Sequence, residues 1–115
     1  MATTQQAWDH HVEGFVARDA PKVLEDYNDS SVLISNGERY TGLDAIGTFF
    51  RGLFAELPKD CAFDLTHCTV LDENVYITWT GEGDSVAYDF ATDTFTIKNG
   101  TITLQTIGFV KRTKS

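Results

Sequence analysis

The sequence has 115 residues, 42% of them hydrophobic and 23% charged, a length and balance that suit one globular domain able to bury a core without staples. Its formal net charge is −8, and three of its nine basic residues (Lys111, Arg112 and Lys114) fall in the last five positions, so the body is more acidic still and phosphate or nucleic-acid binding is disfavoured. No run approaches the roughly 20 apolar residues that span a bilayer, and the amino terminus lacks the basic start and apolar run of a secretory signal, which makes the cytoplasm the expected location.

Trp8, His11, Val12, Phe15 and Val16 recur at i, i+3, i+4, i+7 and i+8, the stripe of a helix that packs one face inward. Asp9, His10, Glu13 and Arg18 fall mostly off that stripe, and His10 reads as solvent-facing. Asp19 offers a cap and Pro21 suits the first turn of a short second helix, with Val23, Leu24 and Tyr27 as its apolar side and Asn28-Asp29-Ser30 at its end. Residues 31–35 form a short β-type run, Asn36-Gly37 signals a tight turn, and residues 38–41 return as a short strand that stops at Gly42. Ile46, Phe49, Phe50, Leu53, Phe54 and Leu57 then mark the clearest helix, with Asp44 in its first turn and Pro58 as its stop.

The remainder reads as β. Residues 61–71 alternate, with Cys61, Phe63, Leu65, His67, Thr69 and Leu71 on one face; residues 75–80 alternate again, with Val75, Ile77 and Trp79 on one side. The phase of residues 86–97 slips from Val86, Tyr88 and Phe90 to Ala91, Asp93, Phe95 and Ile97, which predicts a bulge that bends the strand. Lys98-Asn99-Gly100 turns the chain into a last strand over 101–110. Cys61 and Cys68 point apart on this pattern and lie roughly 20 Å or more from each other at about 3.3 Å per residue, beyond disulfide reach; both read as buried or half-buried free thiols. Three helices interleaved with two short strands, followed by four strands in successive hairpins, predict an α+β fold with a curved antiparallel sheet around the aromatic helix. No repeat or linker divides residues 1–115, so a single domain is expected.

The run Trp8…His11…Phe15…Arg18-Asp19…Tyr27…Ser31-Val32-Leu33, then Tyr40-Thr41-Gly42…Ile46…Phe49-Phe50, and the closing Asp93-Thr94-Phe95-Thr96-Ile97-Lys98-Asn99-Gly100-Thr101-Ile102…Gln105-Thr106, resemble the SnoaL-like branch of the nuclear transport factor 2-like superfamily. The resemblance covers nearly the whole chain in order. It implies a cone of one curved antiparallel sheet and three N-terminal helices, a pocket inside the cone, and frequent homodimers. That superfamily holds ketosteroid isomerases, polyketide cyclases, dehydratases, epoxide-hydrolase-like enzymes and domains without catalysis, so the fold alone assigns no reaction.

Two residues are the candidate catalytic groups. Asp93 shares its strand face with Phe95 and Ile97, and a carboxylate in apolar surroundings has its charged form disfavoured, which raises its pKa and suits it to proton transfer. The bland alternative is a carboxylate satisfied by Thr or backbone groups near the hairpin, or one turned outward at the bulge. His11 lies on the apolar stripe of the first helix, where it can donate a hydrogen bond or shuttle a proton, or sit as a satisfied core histidine. The resemblance implies that Asp93 matches the protonated Asp of ketosteroid isomerases and His11 their oxyanion-binding Tyr. Ser35 matches their general-base Asp, and a serine without an adjacent base disfavours that mechanism. No arginine completes the Asp-Arg-Asp pattern of the epoxide hydrolases.

Trp8, Phe15, Tyr27, Tyr40, Phe54, Trp79, Tyr88 and Phe109 are candidate ligand-binding walls, with Ser35 and the Gln105 amide as polar contacts. His67 suits the pocket or a dimer surface, and a structural role above either. The sequence carries no nucleophile elbow, phosphate loop, dinucleotide fingerprint or metal triad. Three functions are therefore open: cofactor-free acid/base catalysis on a small hydrophobic molecule, sequestration of such a molecule, or dimeric association. An acid/base pair converging on the pocket favours the first, and a pocket closed by Trp8, Tyr27 and Trp79 that leaves Asp93 bonded only to protein favours the other two.

Overall fold

The computed structural model describes residues 3–114. Helix α1 (Thr4–Val16) starts at a capping box, in which the Thr3 hydroxyl accepts from the Gln6 backbone N–H and the Gln6 side chain accepts from the Thr3 backbone N–H, satisfying two otherwise orphaned donors. The predicted stripe faces the sheet through Trp8 and His11, but Val16 at its end is 57% exposed. Gly14 lets α1 approach the short helix α2 (Ala20–Leu24), because a Cβ there would stand 3.0 Å from Val23 Cγ2. Asp19 caps α2 through the Lys22 N–H, and Pro21 occupies its first turn.

Strands β1 (Val32–Ser35) and β2 (Glu38–Thr41) form a hairpin whose turn residues Asn36 and Gly37 both have positive φ, 47° and 89°, the conformation that Asn-Gly supplies at least strain. Helix α3 (Gly42–Glu56) follows, burying Ile46, Phe50 and Leu53. Strands β3 (Ala62–Leu71), β4 (Asn74–Glu82), β5 (Val86–Lys98) and β6 (Thr101–Thr113) complete one six-stranded sheet in the order β2-β1-β6-β5-β4-β3. The core lies between its concave face and the helices, around Leu33, Ile46, Phe50, Leu57, Val75, Phe95, Ile97 and Ile102. Burial of each such side chain contributes about 1.5–3 kcal/mol.

Three points differ from the reading of the sequence. The sheet is mixed, not wholly antiparallel, because β1 pairs parallel to β6. Hairpins dictate antiparallel neighbours, but β1 and β6 are joined by the whole intervening chain, so no turn constrains their direction. Second, the register of β3 against β4 shifts between Leu65 and His67. That extra residue turns His67 outward, where it is exposed and its Nδ1 lies 3.0 Å from Thr78 Oγ1; Cys68 comes opposite the inward-facing Ile77 instead and meets Trp8. Third, both thiols are free, but Cys68 is exposed and only Cys61 is half-buried, because β3 is the sheet's edge strand. The predicted bulge in β5 is present: its register against β6 shifts between Tyr88 and Phe90, so that Tyr88 and Ala91 are both buried.

Candidate functional site

Helices α1 and α3 stand off the concave face of the sheet and leave a cavity of about 260 Å³. Six aromatic rings line it: Trp8 and Phe15 from α1, Phe50 from α3, Phe63 from β3, Trp79 from β4 and Phe95 from β5. Val12, Val16, Leu53, Leu65, Ile77 and Ile107 complete the apolar wall, and its polar groups are His11, Asp93 and Gln105.

Asp93 faces the cavity and is 5% exposed. It does so because β5 alternates Ala91, Asp93, Phe95 and Ile97 toward the core beyond the bulge. Across the sheet, Asp93 pairs with Ile77 on one side and Ile107 on the other. Trp79 and Gln105 are therefore its diagonal neighbours, close enough for long side chains to reach it. Trp79 Nε1 donates to Asp93 Oδ1 at 2.8 Å, and Gln105 Nε2 donates to Oδ2 at 2.9 Å. Tyr27 stands behind this layer, and its hydroxyl donates to Gln105 Oε1, which turns the amide's N–H side toward the carboxylate. The bland alternative of Thr or backbone partners is thus replaced by a side-chain relay across three strands and the segment after α2.

Burial pushes the Asp93 pKa up to about 6, against the two hydrogen bonds that favour its charged form. No Lys or Arg lines the cavity to offset that burial. Burial, together with the negative fields of Asp93 and Asp26, holds Tyr27 well above the usual phenol range, so it stays a neutral donor.

His11 is 3% exposed and is ringed by Trp8, Tyr27, Phe50 and Phe95 at centroid distances of 5.1 to 6.0 Å. Its Nδ1 lies 3.4 Å from Asp26 Oδ2, outside hydrogen-bond geometry, and neither atom has a hydrogen-bond partner. His10 Nδ1 meets the other oxygen, Asp26 Oδ1, at 2.6 Å, so His10 is a partner of a buried carboxylate and not a solvent-facing spectator. Asp26 itself is fixed by its backbone, whose carbonyl accepts from Ile102 N–H at 2.7 Å. His11 therefore brings a buried imidazole to the cavity, with Nδ1 on the side of Asp26.

Of the residues expected to form the site, Trp8, His11, Phe15, Trp79, Asp93 and Gln105 share this cavity. Tyr27 supports it from behind. Phe54 lies outside the lining and packs against Phe15 and Phe50 at 5.4 and 5.8 Å. Ser35, Tyr40, Tyr88 and Phe109 line a separate, more open cleft with Glu56 and Lys111. Leu53 borders both spaces, and Trp79 stacks Phe63 on one side and meets Tyr88 on the other; together these two side chains divide the concave face. In the second cleft Glu56 accepts from Tyr88 Oη at 2.6 Å and from Lys111 Nζ at 3.0 Å. Among the described residues, no group of three or more His, Cys, Asp or Glu is disposed to hold a metal ion, and no helix is long and apolar enough to cross a membrane. The functional-site residue missed in the sequence is Asp26. It follows the end of α2 with no periodicity to mark it, and its contacts with His10 and His11 arise from the packing of α1 on α2.

Solved structures share this architecture. A candidate ketosteroid isomerase from Kribbella flavida superposes with a TM-score of 0.76 at 11% identity, over 97% of this chain and 81% of that one. An NTF-2 like protein of unknown function from Burkholderia xenovorans gives 0.76 at 14% identity, over 97% and 86%. A candidate SnoaL-like polyketide cyclase from Shewanella putrefaciens gives 0.71 at 14% identity, over 95% and 80%. Identities this low establish the fold and nothing of the chemistry. No curated protein matches the sequence. The SnoaL-like domain family itself matches over residues 8–105, from the cavity-lining Trp8 to the Gln105 that bonds Asp93, and the chain belongs to that family.

Proposed function

We propose that the chain takes up a small, mostly apolar molecule in the α1–α3 cavity, and that Asp93 exchanges a proton with it in a cofactor-free step of isomerase, cyclase or dehydratase type. His11 is the second proton-handling group. The observation that carries this reading is a carboxylate on an apolar wall, 5% exposed, without a cation beside it and with its pKa pushed up to about 6. Such a group is largely ionised at neutral pH yet a stronger base than an ordinary Asp, as general-base catalysis requires. Cavity size limits the substrate. An apolar cavity of about 150 Å³ holds one benzene ring, so about 260 Å³ suits one ring or two fused rings. Ser35 lines the other cleft, which adds to the case against the isomerases' own general-base arrangement.

The test is proton exchange at the carbon beside the carbonyl of 2-tetralone, a two-ring enolisable ketone, followed by NMR in deuterated buffer. Wild type is expected to accelerate exchange, and Asp93→Asn to remove the acceleration. Equal rates with and without protein would overturn the catalytic reading. A second reading, binding without catalysis, draws on the fact that both Asp93 oxygens already accept hydrogen bonds from Trp79 and Gln105; saturable binding of 2-tetralone without exchange would favour it.

The proposed working unit is a cytoplasmic homodimer of one domain per chain. Support for the dimer comes from the convex sheet face, which leaves Tyr76, Phe90, Leu104 and Val110 exposed, with Phe90 and Val110 directly paired across β5 and β6. A light-scattering mass equal to one chain across a wide concentration range would refute it.

A further inference from the structure

The polar inventory of the cavity is one-sided. Each Asp93 oxygen accepts one hydrogen bond and keeps a lone pair in reserve. A neutral His11 adds one ring acceptor and one ring donor, with Nδ1 on the side of Asp26. On the donor side, the Trp79 N–H is already given to Asp93, and the Gln105 amide is committed at both ends, which leaves one N–H of that amide. Spare capacity is therefore mostly acceptor, and the only full charge at the wall is negative. Arg18 stands over the wall rings of Phe15 and Phe63 at 4.7 and 5.7 Å, but it does not line the cavity and it donates to the Leu57 and Phe15 carbonyls, while Lys111 pairs with Glu56.

Resting on the reading of this cavity as the ligand site, we propose that its ligand is a one- or two-ring molecule bearing a protonated amine, with the ammonium against Asp93 and its rings against the aromatic wall. An ammonium brings donors to a site rich in acceptors and supplies the missing counter-charge for the carboxylate. Trp8 and Phe95 line the cavity, and aromatic rings attract cations. The net charge of −8 draws cations toward the chain. A carboxylic acid would instead bring a second negative charge to Asp93 in a low-dielectric space, an arrangement in which both cannot stay ionised. A neutral alcohol satisfies an acceptor but leaves the charge uncompensated.

Three probes of similar shape separate these cases: 2-phenylethylamine, 2-phenylethanol and phenylacetate, each titrated by calorimetry and by the Trp79 Nε1–H resonance. At pH 7.5 the amine is expected to bind at least about tenfold more tightly than the alcohol, and phenylacetate most weakly, since one charged contact commonly distinguishes ligands on that scale. Lowering the pH to 5 should weaken amine binding by about tenfold, because a carboxyl with a pKa of about 6 is then about one-tenth ionised and apparent affinity scales with the competent fraction. The titratable groups around Asp93 are His11 from α1, which shares the cavity, and Tyr27 from the segment after α2, on which the fields of Asp93 and Asp26 both act. Asp93→Asn isolates the carboxyl: it should abolish both the preference for amine over alcohol and the tenfold loss at pH 5. The wild-type comparison at two pH values carries the test even if that variant does not fold. If phenylethanol or phenylacetate shifts Trp79 and binds as tightly as the amine, the inference fails while the cavity stands. If none of the three shifts Trp79, the inference and the ligand site fall together.

Discussion

Asp93 should make the stability of this protein fall as pH rises. A carboxyl whose folded-state pKa lies above its unfolded value holds its proton more tightly in the native state. Its stabilising contribution is fully present below the unfolded value of 3.8 and is lost as pH rises through about 6. A difference of about two pKa units corresponds to about 3 kcal/mol at 1.36 kcal/mol per unit, of which about 2–2.5 kcal/mol is lost between pH 4 and pH 7.5. Burial is nearly complete, so solvent does not screen the effect. Asp93→Asn removes the titration while keeping the shape. The carbonyl of the introduced amide can still accept from Trp79, and its N–H can donate to a Gln105 that has flipped and now gives its own N–H to Tyr27. Urea unfolding of both proteins at half-unit steps from pH 4 to 7.5 is the assay. Other carboxyls titrate in this range, so the quantity to read is the difference between the two curves. It should move by about 2–2.5 kcal/mol in favour of the Asn variant as pH rises. A flat difference, or one that moves the other way, would refute the assignment of a raised pKa and with it the desolvated site.

Trp79→Phe keeps a ring in the wall but removes the donor to Asp93 Oδ1; since that bond favours the charged form, the carboxyl should titrate above about 6 by NMR, and an unchanged midpoint would dismiss the bond. Asp26→Asn should weaken the contact between His10 Nδ1 and this buried carboxylate, 2.6 Å long, and cost about 1–3 kcal/mol; an unchanged urea midpoint would dismiss that contact. Gly83 carries no side chain because a Cβ there would overlap the Glu56 carbonyl at the end of α3. Gly83→Ala should therefore cost about 3 kcal/mol or more, and a loss under about 1 kcal/mol in urea unfolding would mean that the end of α3 yields easily.

What the sequence determined by itself is whatever depends on near neighbours. The 3.6-residue stripe of α1, the apolar face of α3, the Asn36-Gly37 and Asn99-Gly100 turns and the phase slip in β5 are local patterns, and each is present in the fold. Asp93 follows from the same logic, since a residue two positions from Phe95 on a strand must share its face. The tertiary structure alone decided the rest, because it depends on register and packing between segments far apart in the chain. The parallel docking of β1 on β6, the slip in β3 that exchanges His67 for Cys68, and the partition at Leu53 and Trp79 that sends Ser35, Tyr40, Tyr88 and Phe109 to a second cleft leave no periodic trace. Nor does Asp26, which meets His11 only because Gly14 lets α1 and α2 close upon each other. Side-chain alternation says which way a residue points, and long-range packing says what it meets there.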